Sequence, residues 1–210
     1  MSYAVKELFL TLQGEGIQAG RRAVFLRFAG CNLWNGHEED REAAICRFCD
    51  TDFVGMDGPG GARFEEAYAL ADAVGAMWGD VAGRRYVVIT GGEPMLQLDT
   101  VLVDTLHARG FQIGVESNGT IKATAGIDWL CISPKAGSDT VQRTGNELKL
   151  VWPQSGSDWR AMEGWGFDHF LVQPMDGTDL ANSRRACVEF VLANPKWRLS
   201  TQTHKILGIA

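Results

Sequence analysis

Residues 86–116 read YVVITGGEPMLQLDTVLVDTLHARGFQIGVE. The first five are apolar or β-branched and predict a buried strand that ends at Gly91-Gly92. Residues 96–108 carry apolar side chains at helical spacing and stop near Gly110, and 112–116 reads as a second strand. Strand, helix and strand in this order form a βαβ unit, which joins parallel strands. The pattern repeats outward. Upstream, 23–28 is an apolar strand, and 64–78 has helical spacing at Phe64, Ala67, Tyr68, Ala71, Val74 and Trp78. Downstream, strands at 129–133, 147–152, 170–173 and 197–201 alternate with helices at 157–165 and 180–192, with Pro195 just beyond the last. Such alternation predicts an α/β fold with a mostly parallel sheet. About six strands are too few to close an eight-stranded barrel. The expected architecture is an incomplete (β/α) barrel in one domain, residues 1–210.

Composition limits the function classes. The chain has 210 residues, 45% hydrophobic and 22% charged, which suits one globular domain. There is no linker, repeat or low-complexity segment. The net charge of -6, with no run of five like charges, argues against a nucleic-acid groove and against a polybasic membrane surface. The N-terminus lacks the apolar core of a signal peptide, and no apolar run approaches the ~18–20 residues a bilayer requires. The expected location is the cytoplasm, with neither a nucleic-acid nor a membrane partner.

In parallel sheets, ligands collect at the C-terminal ends of the strands. The polar residues of this chain fall there: Cys31, Thr90-Gly91-Gly92-Glu93-Pro94, Glu116-Ser117-Asn118, Ser133-Pro134-Lys135 and Gln173-Pro174-Met175. One shared mouth is expected. Residues 32–45 break the pattern and read as a polar insertion inside a metal loop, with a short helix at 37–44.

Five cysteines, an odd number with no secretion signal, argue against a disulfide framework. Three of them form Cys31-x14-Cys46-x2-Cys49. A Cys-x2-Cys pair reaches one metal or one face of a cluster. Three thiolates leave a 4Fe–4S cluster one ligand short, and the open iron can take a substrate or cofactor. Spacing alone also admits a structural zinc with His37 as fourth ligand, or a redox pair that leaves Cys31 unexplained. Cys131 and Cys187 match no motif and read as small buried hydrophobes, and His107 and His169 read as structural.

Cys46-Arg47-Phe48-Cys49 resembles the end of the radical S-adenosylmethionine (SAM) loop, with an aromatic residue directly before the last cysteine and a lengthened first gap. With that gap, Cys31-Asn32-Leu33-Trp34 through Cys49-Asp50-Thr51-Asp52-Phe53 resembles the 7-carboxy-7-deazaguanine synthase family of queuosine and deazapurine biosynthesis. Leu12-Gln13-Gly14-Glu15-Gly16, the Gly91-Gly92-Glu93-Pro94 turn and Gln202-Thr203-His204-Lys205 extend the likeness over nearly the whole chain. The resemblance implies a homodimeric lyase with a 4Fe–4S cluster on Cys31, Cys46 and Cys49, SAM on the open iron, and a flavodoxin- or ferredoxin-like one-electron donor. It implies SAM contacts at Phe48, Cys49, Asp50, Gly92, Ser133, Pro134, Lys135, Gln173, Pro174, Met175 and Asp176, and Mg2+ at Thr51. It implies substrate contacts at Gln13, Arg27 and Thr90, within Leu12-Gln13-Gly14 and the strand ends; Glu15, Glu116 and the terminal carboxylate of Ala210 are candidate acceptors for the substrate, and His204 is a candidate hydrogen-bond partner. The implied small-molecule substrate is the pterin 6-carboxy-5,6,7,8-tetrahydropterin. A SAM-derived radical would take hydrogen from the carbon bearing the carboxylate; ring contraction and loss of ammonia would give 7-carboxy-7-deazaguanine. No protein base is expected to dominate, since the radical comes from SAM.

Residue chemistry fits these roles. A carboxylate calls for a cation, and Arg27 offers a fork. A donor-rich pyrimidine edge wants acceptors such as Glu15 and Glu116. Mg2+ prefers oxygen ligands and one hydroxyl holds it weakly, so the substrate carboxylate is expected to complete its site. Each motif also has a plainer reading: a strand-to-helix turn for Gly91-Gly92-Glu93-Pro94, core for Phe48, a surface strand for Arg27, a turn cap for Thr51 and a structural role for His204. Two rivals stay open. One is another radical SAM enzyme such as a glycyl-radical activase, whose loop keeps a three-residue first gap. The other is a non-catalytic zinc or iron–sulfur module with four protein ligands.

Overall fold

The computed structural model describes residues 2–209. Its strands are β1 Tyr3–Leu12, β2 Arg22–Phe28, β3 Ala62–Phe64, β4 Arg85–Gly91, β5 Phe111–Ser117, β6 Trp129–Ile132, β7 Thr144–Trp152, β8 Gly166–Pro174 and β9 Trp197–Leu199. Its α-helices are α1 Ala67–Trp78, α2 Thr100–Ala108, α3 Trp159–Met162, α4 Leu180–Ala193 and α5 Thr203–Leu207. All nine strands join one sheet in the order β3-β1-β2-β4-β5-β6-β7-β8-β9. From β2 to β9 neighbours run parallel, while β1 runs antiparallel to both β2 and β3. The sheet does not close, leaving β3 and β9 as edges. This is the incomplete (β/α) barrel expected from the alternation.

The parallel neighbours are joined by crossovers, and α1, α2 and α4 pack on one face of the sheet. Five consecutive residues of β4, Tyr86 to Thr90, are buried, as a strand covered on both faces requires. The core lies between the sheet and α1, α2 and α4, around Leu70, Val74, Leu102, Leu106 and Cys187. Much of the chain's tryptophan is spent near β9. Trp152, Trp159 and Trp197 pack on Phe190 with ring centroids 4.9, 4.9 and 5.5 Å away.

Three elements depart from the periodicity. The helix read from residue 64 starts at Ala67, because Ala62–Phe64 pairs with β1 instead (Tyr3 opposite Phe64). The helix read from 96 is split: Pro94–Leu96 makes a 3-10 turn, and α2 begins behind Asp99, whose carboxylate accepts from Leu102 N–H at 2.9 Å. Strand β1 escapes an alternation search because a bulge between Val5 and Glu7 shifts its phase and puts Lys6 beside Val5 among the buried residues. The insertion carries its expected short helix as a 3-10 turn, Glu38–Ala43. Cys131 and Cys187 are buried. Among the described residues, no helix is long and apolar enough to cross a membrane.

Candidate active site

The C-terminal ends of the parallel strands open on a cleft of about 420 Å³, within the range of small-molecule sites. Cys31, Cys46 and Cys49 all line it. Cys31 arrives directly from β2, and its sulfur accepts from Leu33 N–H at 3.4 Å. The insertion holds the other two. Arg41 stacks over Trp34 at 4.0 Å and donates to the carbonyls of Arg47 and Cys49 at 2.9 and 3.1 Å, clamping the Cys46–Cys49 turn. The Cys46 thiol hydrogen-bonds Cys49 and is itself pushed up by that bond and by burial. The same bond pulls Cys49 down to about 6, toward the thiolate that binds metal. Burial raises Cys31. His37, the possible fourth zinc ligand, is exposed and lies outside the cleft lining.

Among the described residues, no three of His, Cys, Asp or Glu converge as a single ion requires. A cubane asks for something different, since its thiolates each bind a separate iron. Three soft sulfur donors on one wall fit that group. The neighbouring wall is shaped for close approach. A Cβ on Gly92 would lie 2.3 Å from Gly30 O and 2.5 Å from Cys31 Cβ, and one on Gly91 2.6 Å from Phe28 O. Side chains are excluded where β4 meets the cysteine loop. Glu93 does not enter the cleft. It is fully buried and accepts from Met95 N–H, Ser117 Oγ and Asn118 N–H at 2.9, 2.8 and 2.8 Å. It ties the end of β4 to the end of β5, so the turn is both a structural corner and a cleft wall.

Of the residues assigned to SAM, Phe48, Cys49, Asp50, Gly92, Ser133, Lys135, Gln173, Pro174 and Asp176 line the cleft. Pro134 and Met175 do not: Pro134 is buried, and the Met175 N–H is turned to Trp152 O at 2.9 Å. Lys135 is drawn back onto Ser133, donating to its carbonyl and hydroxyl at 2.6 and 2.8 Å. Thr51 lines the cleft with its hydroxyl 3.5 Å from Asp50 Oδ1.

Of the residues assigned to substrate, Leu12, Gln13, Gly14, Glu15, Arg27, Thr90, Glu116 and His204 line the same cleft. Ala210 lies outside the described residues. Arg27 is not a free surface arginine: its Nε donates to Glu7 at 2.6 Å. Thr90 stands opposite Arg27 in the β2–β4 register. His204 packs on Gly14, where a Cβ would lie 2.1 Å from its ring.

The sequence reading missed Glu7, Lys149, Gln202 and Lys205. Lys149 contacts both Glu15 and Glu116. Gln202 donates to Glu15 and Asp50 at 3.0 and 3.2 Å, and Lys205 to Asp50 and Asp176 at 2.6 Å each. Lys149 had a signal, a lone cation inside the apolar run Leu148-Lys149-Leu150-Val151. The others lie in segments with no periodicity to betray their facing.

The chain is 59% identical to 7-carboxy-7-deazaguanine synthase from Bradyrhizobium diazoefficiens, over 100% of both chains. The chain belongs to the 7-carboxy-7-deazaguanine synthase family. Proteins of the same name from Bordetella pertussis and Burkholderia multivorans are 56% and 54% identical, again over 100% of both chains. The fold matches the crystal structure of QueE from Escherichia coli with a TM-score of 0.70 and 27% identity, covering 97% of this chain and 95% of that one. No family model matches the chain. Membership of the 7-carboxy-7-deazaguanine synthase family decides between the readings of the cysteine loop, in favour of the radical SAM enzyme.

Proposed function

We propose that the chain converts 6-carboxy-5,6,7,8-tetrahydropterin to 7-carboxy-7-deazaguanine and ammonia, a ring contraction that supplies deazapurine biosynthesis. The observation that carries this is one cleft lined both by three cysteine sulfurs and by Arg27, Glu15 and Glu116. When bound, a 4Fe–4S cluster and SAM supply the radical chemistry that removes a hydrogen atom from the substrate. The chain's own residues bind, orient and exclude. Cys31, Cys46 and Cys49 would hold the cluster. Gly91 and Gly92 keep the wall beside Cys31 free of side chains, so that SAM can lie against backbone. Asp50, Ser133, Lys135, Gln173 and Asp176 offer polar contacts along the same wall.

Arg27 meets the substrate carboxylate. The bond from its Nε to Glu7 fixes the guanidinium plane and leaves the terminal nitrogens for a charge-assisted pair. Glu15 and Glu116 accept from the pyrimidine edge. Gln13, at 5% exposure, donates to Glu116 Oε1 at 2.8 Å and fixes that carboxylate. The hydroxyl of Thr51, which lines the cleft, would offer Mg2+ one hard oxygen, and the substrate carboxylate would be needed to complete its binding. Mg2+ therefore binds tightly only with substrate; isothermal titration with and without the pterin checks this, and equal affinities would sink the coupling. The family resemblance further supports a homodimer and a flavodoxin- or ferredoxin-like one-electron donor in the cytoplasm.

Anaerobic incubation of the iron-loaded chain with SAM, a reductant and the tetrahydropterin tests the function. The expected product is 7-carboxy-7-deazaguanine. Release of 5′-deoxyadenosine without it would keep the radical SAM chemistry and reject this substrate.

A further inference from the structure

Lys149 stands where a lysine is costly. Its side chain is 4% exposed, in the middle of β7. Side chains two apart share a face of a strand, so Glu147, Lys149 and Val151 lie on one face, of which Lys149 and Val151 line the cleft, while Leu148 and Leu150 enter the core. One strand over, Cys131 of β6 pairs with both Glu116 of β5 and Glu147 of β7. The thiol is small enough for the lysine to reach across β6. Its ammonium bonds Glu116 Oε2 at 3.0 Å and makes a short bond to Glu15 Oε2. The other oxygens are held as well, Glu116 Oε1 by Gln13 and Glu15 Oε1 by Gln202. One cation thus fixes two carboxylates from distant parts of the chain, and the trio keeps a net negative charge.

We propose that Lys149 is a positioning residue: it holds Glu15 and Glu116 together as a matched pair of acceptors for the N–H donor edge of the substrate's pyrimidine ring. This rests on the pterin reading of the cleft. A carboxylate accepts through about four lone-pair positions, so each keeps capacity after its bonds to Lys149 and the glutamine. The groups around the trio leave that role undisturbed. Glu147 is engaged by Ile17 N–H at 2.9 Å. Cys131 of β6 and Tyr86 of β4 are kept neutral by burial. Lys135 is turned onto Ser133, and Asp50 is paired with Lys205.

Without the ammonium, two like charges would sit side by side in a buried site. One carboxyl would then take a proton and become a donor facing donors. That state is favoured at low pH, so affinity falls as pH falls, whereas the native pair stays matched.

The test is the equilibrium affinity for pterin-6-carboxylate, read by its own fluorescence, for wild type, Lys149→Met and Lys149→Gln from about pH 5.5 to 8.5. Lys149→Gln keeps a neutral donor in place and provides a folded comparison should Lys149→Met misfold. Wild type is expected to show no acid loss from this pair. Both variants should bind at least about tenfold more weakly at acid pH and recover as pH rises, as a site with mismatched polar groups requires. Replacing Glu116 as well, in Lys149→Gln/Glu116→Gln, removes one of the paired charges and should move the loss to lower pH. Variants that bind like wild type with the same pH profile would overturn the role of Lys149 alone. A folded wild type that ignores the pterin would overturn the substrate reading and this role with it.

Discussion

Gly92 is the residue at which backbone geometry matters most. A methyl group there would meet Gly30 O and Cys31 Cβ at 2.3 and 2.5 Å, and neither neighbour is a flexible side-chain end. Gly92→Ala must therefore move the corner of β4 or the cysteine loop. Displacement of about 1 Å costs on the order of 10²-fold in rate; the variant should show that loss in SAM cleavage while retaining iron. A variant within twofold of wild type would show that the corner is not constrained. Glu15 gives a pH signature. Burial would raise its carboxyl, but the charge and hydrogen bond of Lys149, with bonds from Gln202 and Gln173, outweigh burial and hold it down at about 2 against an ordinary 4.5. A depressed carboxyl contributes stability above its unfolded value and loses it as pH falls toward the folded one. The melting-temperature gap between wild type and Glu15→Gln should be constant above about pH 5 and close as pH falls toward 2–3. A gap independent of pH would contradict the ion pair. These residues differ in how far sequence discloses them. Gly92 is visible beside Glu93-Pro94, whereas Lys149 shows as an anomaly in an apolar strand and meets its two partners only when Glu15, in the loop after β1, comes together with Glu116 of β5 and Lys149 of β7.

At the scale of elements, the alternating strands were legible because each is a run of apolar residues between glycines or polar turns. The bulge hid β1, three-residue pairing hid β3, and α5 is too short for a helical period. Yet α5 and the residues before it close one side of the cleft, through Gln202, His204 and Lys205. The ion pairs of Lys205 with Asp50 and Asp176 are more than a quarter exposed on both sides, and pairs of this kind contribute at most about 1 kcal/mol. Lys205→Ala removes both pairs, at most about 2 kcal/mol together, and should therefore shift the melting temperature by no more than about 4–8 °C. It should weaken SAM binding by about 3–10-fold, the value of a lost orienting hydrogen bond. A fall in stability with unchanged SAM affinity, read by calorimetry and titration on the same preparation, would make α5 a structural strap only.

On the scale of the whole molecule, the sheet and the segments at its ends bring residues from 6 to 205 in sequence to one mouth. The open sheet leaves a cleft of about 420 Å³ there, where a closed eight-stranded barrel packs its interior with side chains. The long first gap between cysteines also has a structural sense at this scale. It spans a 3-10 turn and the Arg41 clamp, which return the chain to Cys46 within reach of Cys31. Composition suited one globular domain and the alternation an α/β fold; three cysteine sulfurs lining one cleft and membership of the family point to the chemistry. The measurement that bears on this most directly is iron, sulfide and zinc content after anaerobic purification, for wild type and for Cys31→Ala. The expected result is about four irons and four sulfides per chain, lost when Cys31 is replaced. Stoichiometric zinc without iron, unchanged by Cys31→Ala, would contradict it.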